Sequence, residues 1–107
     1  MSRYRIRPRA ERDLIEHFAH IARDNIVPAD RFLKVAEESF VCLSEMPRMG
    51  RIWDSPRVEL QGVRVYPMPA PYRSYLIFYR LADNDEVDIL AVLHAARDLE
   101  ATLHDIL

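Results

Sequence analysis

The residues of this sequence that could carry out chemistry lie mainly in its second half, where one histidine occurs among arginines. His94 is followed by Arg97 and Asp98 in a His-x-x-Arg-Asp sequence. Cleavage of RNA without a metal ion needs a base for the 2′-hydroxyl, an acid for the leaving oxygen and cations for the phosphate. His94 could serve as the acid or the base. The cations could come from Arg64, Arg73 and Arg97, so the residue types allow an endoribonuclease.

A structural interpretation of the same residues is the one we favour. His94 ends a predicted strand, and Asp98 begins a predicted helix, where free N–H groups and the helix dipole favour a carboxylate. Arg97 could pair with a carboxylate and pin this corner. The only lysine, Lys34, lies far in sequence from the other cations, and no tyrosine follows Tyr79. The acid–base set is therefore thin, and we assign no catalytic residue.

A second group of chemically capable residues lies near the N-terminus. His17 and His20 are three residues apart, and carboxylates stand nearby at Asp13 and Glu16. A helix would place two or three of these metal ligands on one face. They flank an apolar stripe, however, so a solvated polar face is the better interpretation. We expect no metal and no cofactor, because the chain also lacks a glycine-rich phosphate loop.

Length and composition restrict the classes of function. The 107 residues fit one domain, residues 1–107, and the net charge is −2. A protein that binds RNA or DNA through phosphates usually has a clear basic excess, so we expect no sequence-specific nucleic-acid binding by this chain alone. The N-terminus shows no apolar signal segment, and the single cysteine, Cys42, allows no intrachain disulfide. The reducing cytoplasm is the expected compartment.

The elements that would position these residues follow from hydrophobic periodicity. Apolar residues at helical spacing predict two helices, at residues 10–22 and 28–47, joined closely enough to form an antiparallel hairpin. Alternating patterns predict strands at residues 3–7, 58–65, 74–81 and 87–93, and a short helix follows from residue 97. The order β-α-α-β-β-β-α predicts an α+β fold with the hairpin packed on one face of a mostly antiparallel sheet.

Both faces of the two best strands are apolar. Leu76 and Phe78 alternate onto one face of the first strand, and Leu90 and Val92 onto one face of the second. The hairpin can cover only one face of the sheet, and apolar surface without a cover usually marks a partner site. The alternative is that the terminal helix and the loop with Trp53 cover this surface. The pattern favours neither interpretation.

A ridge of arginines lies on the first predicted strand. Arg3, Arg5 and Arg7 alternate with apolar residues, and Arg9 and Arg12 extend the ridge. It would suit acidic groups of a partner. Taken alone, a charged and solvated strand that discourages aggregation is the simpler interpretation. An apolar face beside the ridge strengthens the interpretation as a binding surface.

Short sequences spread over nearly the whole chain carry a resemblance to a known family. They are Ala10-x-x-Asp13-Leu14, Pro47-x-x-Gly50-Arg51, Gly62-Val63-Arg64, Tyr75-Leu76-Ile77-Phe78-Tyr79-Arg80 and His94-x-x-Arg97-Asp98. Their joint order resembles ParE toxins of the ParE/RelE superfamily, which are also known as plasmid-stabilisation proteins. The resemblance implies the RelE/ParE-like fold and the toxin half of a type II toxin–antitoxin pair.

The resemblance also implies partners. Toxins of this family are neutralised by a small ParD-like antitoxin, whose C-terminal segment fills an apolar groove and meets arginines with carboxylates, in a hetero-oligomer. Free ParE-like toxins poison DNA gyrase, whereas RelE-like relatives cut mRNA on the ribosome. A third alternative is an inactive homologue that only binds its antitoxin. The residues expected to contact the antitoxin are Arg3, Arg5, Arg7, Leu76, Phe78, Leu90 and Val92.

Overall fold

The computed structural model describes residues 4–106 as three helices and a five-stranded sheet. In chain order the elements are β1 (Tyr4–Ile6), α1 (Pro8–Ala22), α2 (Ile26–Glu45), β2 (Arg51–Ile52), β3 (Arg64–Pro67), β4 (Tyr75–Leu81), β5 (Val87–His94) and α3 (Leu99–Ile106). The strand order is β1-β5-β4-β3-β2, in which β1 runs parallel to β5 and all other neighbours are antiparallel. The predicted α+β class, helical hairpin and short C-terminal helix are confirmed.

The helices α1 and α2 pack as a hairpin on one face of the sheet. Pro8 occupies the first turn of α1, where its missing N–H costs nothing. The Asn25 side chain caps α2 by accepting a hydrogen bond from Val27 N at 3.0 Å. Phe32 and Phe40 of α2 are fully buried against the sheet. No helix within residues 4–106 is long and apolar enough to cross a bilayer.

The opposite face of the sheet is covered by α3 and by the loop that carries Trp53. Leu103 of α3 is fully buried against this face, and the Trp53 ring meets the Phe78 ring edge-on at 5.4 Å. Glu100 joins the helix to the loop, because its carboxylate accepts hydrogen bonds from Trp53 Nε1 at 3.1 Å and Ser55 Oγ at 2.8 Å. Of the two alternatives that the sequence left open for this face, the structure therefore has the one in which the terminal helix and the Trp53 loop cover it.

One strand prediction was wrong in part, and one strand was missed. Residues 58–60, expected as a strand, form a 3₁₀ turn closed by hydrogen bonds from Leu60 N to Arg57 O and from Gln61 N to Val58 O. Val58 is 77% exposed, so its apolar side chain lies mostly in solvent. The strand β2 was missed because a two-residue strand has no measurable periodicity.

A β-bulge in β5 changes which residues share a face. Phe78 lies opposite Ala91 and Tyr79 lies opposite Ile89, so Leu90 is the extra residue. Leu90 consequently packs under α3, whereas Val92 packs under the helical hairpin. The prediction that Leu90 and Val92 share one face was wrong, because strict alternation does not hold across a bulge.

Candidate functional site

Two arginines of the ridge contact a carboxylate of the neighbouring strand. Arg7 binds Asp88 with two nitrogens, at 2.9 Å from Nε to Oδ1 and 2.6 Å from Nη2 to Oδ2. Arg5 lies opposite Asp88 in the β1–β5 register, and its Nη2 is 3.9 Å from Asp88 Oδ2. The side chain of Arg5 is 66% exposed and that of Arg7 is 49% exposed. Arg3 lies outside the described residues. Of these two arginines, Arg5 is thus the more accessible to a partner.

The apolar residues predicted beside this ridge are less accessible than expected. Phe78, Leu90 and Val92 are buried, and Leu76 is half-buried. Arg7 and Leu90 do line one small cavity, of about 140 Å³, together with Ile106 at the end of α3. The structure therefore brings the ridge and part of the apolar face together, with α3 at their boundary.

The predicted RNase residues divide between two ends of the sheet. His94 pairs with Tyr75 on β4, and Arg64 pairs with Tyr79 on the same strand. Four residues along a strand span ~13 Å, and β3 and β5 are two strand spacings apart, about 10 Å. Arg64 therefore lies far from His94. The exposed Arg73 and Arg97 stay near His94, because Ala95 N donates to Ser74 O at 2.7 Å and Arg97 N donates to His94 O at 3.1 Å.

His94 and Asp98 hold the corner between β5 and α3. Nδ1 of His94 accepts a hydrogen bond from Ala96 N at 3.1 Å, and the ring meets Tyr75 edge-on at 5.1 Å. Asp98 Oδ1 accepts from Ala101 N at 3.2 Å, as an N-terminal cap does. Arg97, which was expected to pin the corner, has no carboxylate within ion-pair distance in residues 4–106.

Asp13 and His17 complete the hydrogen bonding of β5 beyond the end of β1. Since β1 pairs only with residues 87–89 of β5, the next backbone groups on that edge have no neighbouring strand. Asp13 Oδ2 accepts from Val92 N at 3.0 Å, and His17 Nε2 lies 2.7 Å from Val92 O. The carbonyl can only accept, so Nε2 carries the proton. These two side chains are therefore structural, and the interpretation that places them on a solvated polar face was wrong for both, since Asp13 is buried and His17 is half-buried.

The signal that could have found this role is their position on α1. Asp13 and His17 are four residues apart, on the helix face that packs against the sheet, and buried polar groups need hydrogen-bond partners. Asp13 is 2% exposed and also accepts from Arg9 Nε at 2.9 Å. Burial lowers the pKa of His17 below its ordinary value, and this effect exceeds the opposing hydrogen bond to Val92 and the charge of Asp13. His17 is therefore held neutral near pH 7.

The Pro-x-x-Gly-Arg sequence wraps around one tyrosine hydroxyl. Tyr79 Oη donates to Pro47 O at 2.8 Å and accepts from Gly50 N at 2.9 Å. A Cβ atom on Gly50 would lie 2.6 Å from that oxygen, so only glycine lets the loop come this close. Arg64 Nη1 closes the loop by donating to Gly50 O at 2.7 Å. Burial raises the pKa of Tyr79, and the hydroxyl keeps the proton that it donates.

Comparison with known proteins agrees with this architecture. The family described as "ParE toxin of type II toxin-antitoxin system, parDE" matches residues 4–99. Among solved structures, the toxin–antitoxin complex RelBE2 from Mycobacterium tuberculosis is similar at 28% identity and a TM-score of 0.55. The match covers 87% of this chain and 96% of that one. No curated protein sequence matches. The chain belongs to the ParE toxin family of type II toxin–antitoxin systems.

Proposed function

We propose that the chain is a toxin that acts on DNA gyrase by binding it, and that a ParD-like antitoxin neutralises it. The observation that carries the proposal for the target is the division of the RNase residues between two ends of the sheet. Acid–base cleavage needs its groups within hydrogen-bond reach of one phosphate. Arg64 and His94 do not meet this condition, and the ring nitrogen Nδ1 of His94 is already used by Ala96 N.

The similarity to a structure of a toxin–antitoxin complex supports the proposal for an antitoxin. On this chain, the half-exposed Arg7 lines the cavity together with Leu90 and Ile106, and the accessible Arg5 lies two residues before it on β1. An antitoxin tail with carboxylates and apolar side chains would fit this combination. Arg7 is already paired with Asp88, so Arg5 has the larger share of unpaired positive charge.

The antitoxin proposal is tested with the short reading frame expected beside the gene. Its product should copurify with the toxin, and Arg5→Glu should weaken the complex by roughly tenfold or more, since like charges across an interface repel. Arg31→Glu, at an exposed position of α2, is the matched control and should bind normally. Equal affinities for the two variants would contradict the proposed role of Arg5.

The gyrase proposal is tested with purified toxin and gyrase on relaxed plasmid DNA. The toxin should block supercoiling or accumulate cleaved DNA, and addition of the antitoxin should reverse this effect. No change at concentrations far above those that stop growth would refute the proposal. The double variant His94→Ala, Arg97→Ala should remain toxic, because gyrase binding is not assigned to either residue.

Two alternatives have their own outcomes in the same experiments. A ribosome-dependent endoribonuclease would cleave mRNA on translating ribosomes, and the His94→Ala, Arg97→Ala variant would lose this activity while it still folds. The closeness of Arg73, His94 and Arg97 is the observation in favour of this candidate. An inactive homologue would bind the antitoxin, but neither the unchanged protein nor the His94→Ala, Arg97→Ala variant would stop growth.

A further inference from the structure

An open pocket of about 330 Å³ lies at the end of the sheet away from the His94 corner. Three arginines line it: Arg48 from the loop after α2, Arg64 at the start of β3 and Arg80 near the end of β4. Gln61 and Gly62 of the connection into β3 form another part of the wall. The arginine ridge of β1 contributes no residue to this pocket, although Arg80 lies opposite Asp88, the carboxylate that Arg7 binds, in the β4–β5 register.

The positive charge of this pocket is only partly compensated within the described residues. Arg48 Nη2 lies 3.4 Å from Asp85 Oδ1, in a pair whose side chains are both more than half exposed. Arg64 and Arg80 have no carboxylate within ion-pair distance in residues 4–106. Three guanidinium groups and one carboxylate leave a net charge of +2 here. The whole chain has a net charge of −2, so the local charge of this pocket has the opposite sign to that of the chain.

Backbone carbonyls hold two of the guanidinium groups in place without neutralising them. Arg64 Nη1 donates to Gly50 O at 2.7 Å, and Arg80 Nη2 donates to Glu59 O at 2.6 Å. A guanidinium has five N–H donors, so each group keeps several for a ligand. Arg80 Nε is buried and has no acceptor in the described part of the chain. Gly62 N–H likewise donates to no acceptor among residues 4–106.

We propose that this pocket binds a terminal phosphate group, the phosphate monoester of a nucleotide or of a nucleic-acid 5′ end. Such a group has a charge of about −1.5 to −2 at pH 7 and three acceptor oxygens, which match the charge of +2 and the unused donors. Arginine binds phosphate with paired N–H groups in a fixed geometry. A carboxylate or a backbone phosphodiester brings one charge and two such oxygens, and would leave half of the positive charge without a partner.

The first test is an NMR titration of the whole toxin with inorganic phosphate and with deoxythymidine 5′-monophosphate. Both should shift the Gly62 amide resonance in a saturable way, whereas deoxythymidine and chloride at equal ionic strength should not. Arg80→Gln should weaken phosphate binding by roughly tenfold, as expected for the loss of a charged hydrogen-bond donor. Arg31→Gln is the control and should bind like the unchanged protein.

A second variant keeps the test decisive if Arg80→Gln fails to fold. Arg48→Gln removes only an exposed ion pair, which contributes little to stability, and it should still weaken phosphate binding several-fold. Oligonucleotides with and without a 5′-phosphate then distinguish the source, because a nucleic-acid end should bind only when phosphorylated and more tightly than the mononucleotide. If the mononucleotide binds and the phosphorylated oligonucleotide binds no more tightly, the pocket is assigned to free nucleotides.

Several results would overturn the proposal. They are a Gly62 resonance that does not respond to phosphate, equal binding by both arginine variants and the unchanged protein, or a response to an aspartate-rich peptide but not to phosphate. The last result would assign the pocket to a protein partner. None of these outcomes depends on gyrase inhibition, so this inference and the proposed function can fail separately.

Discussion

Removal of the Tyr79 hydroxyl tests whether the Pro-x-x-Gly-Arg loop is held by that group. The oxygen donates to Pro47 O and accepts from Gly50 N, and the tyrosine is fully buried. Tyr79→Phe leaves both backbone groups without a partner in a place that water reaches poorly. A buried group without a hydrogen bond costs about 1–3 kcal/mol. We expect the free energy of unfolding to fall by roughly that amount.

The assay is urea denaturation followed by circular dichroism, together with thermal melting. A loss of 1 kcal/mol corresponds to a drop of about 4–8 °C in melting temperature for a domain of this size. Tyr66→Phe is the matched control, because Tyr66 is half-buried on β3 and its hydroxyl has no hydrogen bond within the described residues. That variant should stay within about 0.5 kcal/mol of the unchanged protein. Equal stabilities of the two variants would refute the role assigned to the Tyr79 hydroxyl.

Three further predictions concern the same buried polar contacts. Gly50→Ala should destabilise the fold by at least about 1 kcal/mol, since the added Cβ would lie 2.6 Å from the Tyr79 oxygen; a stability unchanged in urea would contradict this. Asp13→Ala should cost about 2–3 kcal/mol because it leaves Val92 N unpaired in the core, and Asp13→Asn, which keeps one acceptor, should cost less. The folded-state pKa of His17 lies below its value of 6.5 in the unfolded chain, because burial disfavours the charged form. Stability from this residue is therefore fully present above pH 6.5 and is lost as the pH falls towards the folded-state pKa. His17→Gln should make the urea midpoint less sensitive to pH between 7.5 and 5.5, and an equal slope in both proteins would exclude this contribution.

The helical hairpin and the strands β4 and β5 could be predicted from the sequence because their signals are local. Residues 10–22 and 28–47 have apolar residues at helical spacing, and Pro8, Asn25 and Pro47 mark helix boundaries close to the observed ones. Strands β4 and β5 are long and apolar enough to be recognised alone. The 3₁₀ turn at residues 58–60 shows the limit of this approach. Three residues with an apolar first and last position look like a strand, and only the absence of a pairing partner decides otherwise.

The candidate site was predictable in residue type but not in arrangement. The sequence alone identified Arg5 and Arg7 as a ridge and His94 and Asp98 as a corner. It did not show that Asp88 holds Arg7, which is 81 positions away, because the parallel β1–β5 register decides that contact. It also could not show that Arg64 and His94 lie at different ends of the sheet.

The sequence by itself determined the family, the fold class and the presence of two apolar faces on the central strands, since these follow from residue order and short-range periodicity. The tertiary structure decided what covers each of those faces. The bulge at Leu90 turned Val92 towards the hairpin, and α3 closed over Phe78. It also decided that Asp13 and His17 complete the edge of β5. The physical reason is that hydrogen bonds and burial connect residues up to 81 positions apart, and no local pattern encodes such partners.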